Sequence, residues 1–129
     1  MCLEHINKTE GCKASQLCDS KDGKLPLPEN EKENAEYLNA FEDMLQKRNE
    51  TEETRVALDL GDVKSEGEYA TSKGKSVKWF NWKNGEPSRG GEHYVNMYVN
   101  FNKVNDGKWN DRIGSYKVHV FCEHEPLWK

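Results

Sequence analysis

The sequence predicts a single α+β domain, with helices in its first half and short strands in its second. Three observations carry this reading. Apolar residues recur at three- and four-residue spacing as far as Leu45. Beyond Arg55 they alternate or cluster between turn residues instead. The chain's 129 residues suit one compact domain. Helices followed by short strands are the mark of an α+β arrangement.

The elements follow in order. Ala14, Leu17 and Cys18 share one face of a short helix, and Gly23 stands where a C-terminal cap residue would end it. Leu25-Pro26-Leu27-Pro28 is extended, because proline disfavours helix in the residue before it. Asn30 can cap the next helix with its side-chain oxygen, and Glu33 three residues on approximates a capping box. Ala35, Leu38, Phe41, Met44 and Leu45 then predict an amphipathic helix of about four turns, with Tyr37 and Phe41 as a second pair. Val56-Ala57-Leu58 reads as a buried strand. Glu68-Tyr69-Ala70-Thr71 reads as another, with Ser72-Lys73-Gly74-Lys75 as its turn. Segment 84–91 holds too much Gly and Pro for regular structure. Segment 94–101 is strand-like, Asn105-Asp106-Gly107 is a turn, and Val118, Val120 and Cys122 alternate as a final strand would.

Composition narrows the function. The net charge is −4, from 19 basic and 23 acidic residues, which gives a polyanion no basic surface to displace counterions from; no nucleic-acid partner is expected. No apolar run approaches the roughly 20 residues needed to span a bilayer. No leader is visible at Met1, so we expect one to have been removed or the chain to start at the mature domain. The four cysteines, Cys2, Cys12, Cys18 and Cys122, lack the C-x-x-C spacing of zinc or redox sites. Cys18 and Cys122 bracket most of the chain. A bridge between them would restrict the unfolded state by about 4–5 kcal/mol in the entropy model. Four free thiols of a cytosolic protein is the other reading. Cysteines near both ends of a small domain favour a staple in an oxidising compartment, hence a secreted protein. The sequons at Asn7 and Asn49 are compatible with that.

Two places offer polar oxygen ligands. Glu86, Ser88 and Glu92 lie in an irregular loop, and Asn110 and Asp111 follow a tryptophan. Calcium takes about 6–8 oxygens, which a loop can supply from several directions, leaving positions open for a ligand hydroxyl. Pro87 would help to turn these groups inward if its peptide bond were cis. By composition alone such residues are usually only solvated, so their spacing has to decide.

That spacing resembles C-type lectin domains, especially those of collectins. Cys18-x4-Gly23-x-Leu25, Pro28-x-Asn30-x2-Glu33-Asn34, Ala57-Leu58 through Asp62-x3-Glu66-Gly67, Asn81-Trp82-x2-Gly85-Glu86-Pro87, Gly107-Lys108-Trp109-Asn110-Asp111 and Phe121-Cys122-Glu123 occur in the family's order across about residues 11–124. The resemblance implies two helices, small antiparallel sheets and a long calcium-binding loop region, with a Cys18–Cys122 bridge. It implies that Glu86, Ser88, Glu92, Asn110 and Asp111 hold one Ca2+ and meet two neighbouring sugar hydroxyls bound to the same ion. Glu86 in the first place of the sugar loop implies mannose-type glycans with equatorial 3- and 4-hydroxyls. The metal is then part of a binding site, and no catalytic nucleophile or base is implied. A two-carboxylate hydrolase built on Glu86 and Asp111 has no support beyond their presence. A domain that binds a protein partner without calcium is the alternative.

The sequence departs from the family's pattern in four ways. Ser88 replaces the usual Asn or Asp and lacks the amide donor. The inner disulfide is missing, its positions falling near Tyr94 and Gly114, which implies a looser upper loop. Of an auxiliary calcium site only Asp62 and Glu66 remain; Arg89 and His93 stand where relatives supply carboxylates, so one calcium is expected, with His93 exposed. Cys2 and Cys12 have no counterpart. We expect them to bridge each other, with an interchain disulfide as the alternative. Trp82 and Trp109 are expected in the core. With no collagen repeat or heptad tract, any homo-oligomer must form through the domain itself or the extra cysteines.

Overall fold

The computed structural model describes residues 2–87 and 91–125. Helix α1 spans Gly11–Asp19 and buries Ala14 and Cys18, as the spacing requires. Its end differs from expectation. The left-handed residue is Asp22, with φ 58°, and Gly23 N–H closes the turn on Cys18 O at 2.9 Å. Gly23 is needed for another reason: a Cβ there would stand 2.9 Å from the His124 ring and 3.1 Å from Glu123 O. Helix α2 spans Glu31–Gln46. Asn30 caps it by accepting the Glu33 N–H at 2.8 Å, while Glu33 accepts from Glu29 N–H rather than from Asn30. Its buried stripe is Asn34, Tyr37, Phe41, Glu42 and Leu45. The helix is therefore rotated from the expected face, and Ala35 is exposed.

Five strands form one sheet: β1 (Cys2–Glu10), β2 (Thr54–Gly61), β3 (Tyr94–Val99), β4 (Trp109–Arg112) and β5 (Lys117–His124), in the order β1-β5-β2-β3-β4. Strand β1 pairs antiparallel with β5 from Cys2↔His124 to Glu10↔Lys117. Strand β2 meets β5 in parallel at Val56↔His119, then pairs antiparallel with β3. The family resemblance leads one to expect separate small antiparallel sheets; here they are continuous through that one parallel contact. The expected strand at 68–71 is reduced to bridges of Ala70 with Gly61 and Ser76. Phe41, Val56, Met97, Val99, Trp109 and Phe121 form the main core between α2 and the sheet. Cys18, Ala57, Val118 and Val120 form a second cluster under α1. The Cys18–Cys122 disulfide is present, spanning 104 residues of sequence.

The expected Cys2–Cys12 bridge is not formed. Both thiols are free and exposed. Extended strand β1 lies between them, a run of about 26 Å, whereas a disulfide needs Cα atoms about 6 Å apart. The place of the missing inner disulfide is filled by packing. A Cβ on Gly114 would lie 2.8 Å from Cys12 Cβ and 3.0 Å from Tyr94 Cε2. The Tyr94 ring and the first turn of α1 thus close on Gly114, which must lack a side chain to admit them. Two backbone bonds, Gly11 N–H to Tyr116 O and Cys12 N–H to Gly114 O, each 3.0 Å, hold this junction.

Candidate functional site

The site is built around β4. Trp109 is wholly buried, and its indole N–H donates to Asn34 Oδ1 at 2.8 Å, anchoring the strand to α2. Segment 81–83 pairs alongside it: Trp109 N–H donates to Asn81 O and Lys83 N–H to Trp109 O, both at 2.8 Å. A turn follows with Gly85 at φ 87°, and Glu86 N–H closes it on Lys83 O at 2.9 Å. The two candidate segments, far apart in sequence, are therefore stitched together at Trp109. The Glu86-Pro87 peptide bond is cis. Trp82 packs edge-on to both Tyr69 and Trp109 and stacks on Phe80, so the aromatics support the loop from below. Trp109 lies in the core and Trp82 packs against it, partly buried.

Asn110 and Asp111 are both buried, at 4% and 0% exposure. Asp111 Oδ2 accepts from the Tyr69 hydroxyl at 3.1 Å. Asn110 Nδ2 reaches the Tyr98 hydroxyl at 3.4 Å. Asn110 Oδ1 is buried with no hydrogen-bond partner. A sequestered acceptor without a donor is costly unless something satisfies it, and a hard cation that binds amide oxygens would do so. That is the feature by which these residues fit a calcium ion.

Glu92 joins from the start of β3, whose Tyr94 and Val95 pair with Arg112 and Asp111. Its Oε2 lies 3.9 Å from Arg112 Nε. This cation was not foreseen, although it follows Asp111 directly and strand alternation places it on the Asn110 side. Among the described residues no three His, Cys, Asp or Glu side chains are grouped closely enough to hold a metal. Ser88 and Arg89 lie outside the described residues, so the expected fifth ligand does too. His93 differs from expectation. Rather than standing free in solvent, its Nδ1 lies 3.0 Å from Asp62 Oδ1, and the other oxygen of that buried carboxylate accepts Gly67 N–H at 2.8 Å. Asp62 is thereby engaged within the protein.

A family model, "Lectin C-type domain", matches residues 8–124. The chain belongs to the C-type lectin domain family. A bovine (Bos taurus) pulmonary surfactant-associated protein D is 31% identical over 128 residues, covering 93% of this chain and 31% of that protein. This C-type lectin domain therefore spans about a third of the length of that relative. Among solved structures, the cow carbohydrate-recognition domain of CD23, determined in the presence of a GlcNAc2Man3 oligosaccharide, is 25% identical with a TM-score of 0.65, covering 93% of this chain and 84% of that one. A calcium-independent type II antifreeze protein shares the fold at 15% identity and a TM-score of 0.72, covering 93% and 82%. The fold therefore includes a protein that does not depend on calcium.

Proposed function

We propose that this C-type lectin domain is a secreted, calcium-dependent lectin for mannose-type glycans. One observation carries the reading: Asn110 Oδ1 is buried without a hydrogen-bond partner, in a residue next in sequence to the buried Asp111. Glu86, Glu92, Asn110 and Asp111, with Ser88, would hold one ion. The bound ion would supply the electrostatic pull on two neighbouring sugar hydroxyls. This chain's own groups would orient those hydroxyls, with carboxylate oxygens accepting from them and the Asn110 amide donating. Glu86 in the first place of the loop supports the mannose-type class, and the oligosaccharide present with the cow CD23 domain contains mannose. The Asp62–His93 pairing supports a single ion. A site of this kind is a binding module rather than an enzyme. Single-site affinity would be low, and useful avidity would come from several copies presented together, a homo-oligomer being one route. The Cys18–Cys122 disulfide supports an extracellular location.

The alternative, a domain that binds a protein without calcium, is favoured by one specific contact, the Arg112 guanidinium close to Glu92. Binding to mannose-type and galactose-type glycan surfaces, in calcium and in excess chelator, separates the two. Mannose binding that vanishes in chelator is the expected result. Binding to neither surface in either condition would leave the fold intact and transfer the reading to the protein-binding alternative.

A further inference from the structure

The lectin site makes no use of the two sequons, Asn7-Lys8-Thr9 and Asn49-Glu50-Thr51. The structure sets them apart. Asn7 is exposed but lies within β1, opposite Val120, and Thr9 is half-buried opposite Val118. Pairing with β5 holds that motif extended along its whole length. Asn49-Glu50-Thr51 lies instead in the turn that ends α2, and every residue from 46 to 53 is exposed.

The turn explains part of this second motif. Asn49 has φ 63°. Its N–H donates to Gln46 O at 3.0 Å, and Glu50 N–H donates to Leu45 O at 2.9 Å. Two carbonyls of the helix end are thereby satisfied. Glycine is the usual residue at such a left-handed position, and asparagine is a tolerated one. The turn therefore calls for Gly or Asn at 49 but makes no demand on Thr51. That residue is exposed, and its hydroxyl completes the acceptor motif. The position also suits a bulky group. Pairing of β2 with β3 runs from Thr54↔Val99 to Gly61↔Tyr94. Asn49 precedes the Thr54 end, whereas Glu92 adjoins Tyr94 at the other, and roughly 17 Å of extended strand separates the two ends. A saccharide on Asn49 leaves the lectin site uncovered.

We infer that Asn49 is an acceptor for an N-linked oligosaccharide. The donor class is an oligosaccharide carried on a lipid diphosphate. The Asn49 carboxamide nitrogen forms a bond to C1 of the first sugar as the C1–O bond to the diphosphate breaks. The lipid diphosphate leaves with the electron pair of that bond, and one amide proton is lost to a base of the transferring enzyme. No oxidant or reductant is required. The inference rests on the secreted location proposed above.

The full chain, carrying a cleavable leader and Asn7→Gln, is translated in the presence of microsomes. The leader supplies entry to the lumen, so the assay tests the acceptor itself, separately from where the natural protein resides. Chains protected from added protease are analysed by gel and mass spectrometry before and after treatment with peptide N-glycosidase. One glycan-sized shift is expected, removed by the enzyme with conversion of Asn49 to Asp. Thr51→Ser is expected to keep the shift. Thr51→Ala is expected to lose it while leaving Asn49 and its turn in place. Protected chains that show no shift, or a shift that persists in Thr51→Ala, overturn the assignment.

Discussion

Arg112 sits 3.9 Å from an oxygen of Glu92, a residue proposed to hold calcium. A guanidinium there opposes a divalent ion. Arg112→Gln should therefore tighten calcium binding by about two- to five-fold, matching roughly 0.5–1 kcal/mol for one partly exposed charge contact; calorimetric titration checks this. Two buried groups with opposite signs shape the pH profile. His5 is pushed down to about 4, first by burial and then by Arg48 and His119. It stacks on Phe121 and lies 3.0 Å from His119, which burial also pushes down. The folded state thus resists protonation there, and stability falls as pH drops from about 6.5 towards 4. Glu42 is raised to about 7 by burial and by its hydrogen bond to Asp106. Its contribution is full below the ordinary carboxylate value and is lost as pH rises through 7. Glu42→Gln should remove that alkaline loss. Urea denaturation should show the variant gaining on the parent at pH 8 and losing the advantage by about pH 4.5. At this scale Asn110 and Asp111 were legible because they follow a tryptophan in a spacing shared with a family. Asn34 was not: its inward turn is explained by the Trp109 indole and Gly107 carbonyl it bonds, partners more than 70 residues away.

The second helix and the late strands could be read from periodicity, and α2 kept its capping residue and its length. Its rotation could not be read, since a buried Asn and Glu replaced the expected Ala35 on the inner face. Strand β1 left almost no signal. Cys-Leu-Glu-His-Ile-Asn-Lys-Thr-Glu has few β-branched or aromatic residues, and pairing with β5 determines its conformation. The junction of α1 with Tyr94 and Gly114 is the element-level substitute for the absent inner disulfide. Gly114→Ala should drive a Cβ into Cys12 and Tyr94, costing about 1–3 kcal/mol by overpacking and lowering the thermal midpoint. Packing holds that junction less firmly than a covalent bond, so calcium should contribute more to order in the loop. Amide exchange in residues 84–112 should slow on adding calcium. Exchange identical in calcium and chelator would sink that expectation.

Across the whole molecule, the single-domain α+β class was legible, whereas the sheet order β1-β5-β2-β3-β4 was not, because it depends on one parallel contact between chain segments 63 residues apart. That order brings the two ends of the described residues together, with Cys2 directly opposite His124 on hydrogen-bonded strands. A short linker could therefore join the ends, and new ends could be cut at Gly74, an exposed turn where an added side chain meets nothing. Such a circular permutant should fold. Its Cys18–Cys122 bond would then close roughly 25–30 residues instead of about 100, reducing its entropic contribution from about 4.7 to about 3.5 kcal/mol. Oxidation should consequently stabilise the permutant by about 1 kcal/mol less than it stabilises the parent, measured by urea unfolding with and without reductant. The bridge is the same pair of sulfur atoms in both chains; what changes is how much of the unfolded chain it encloses.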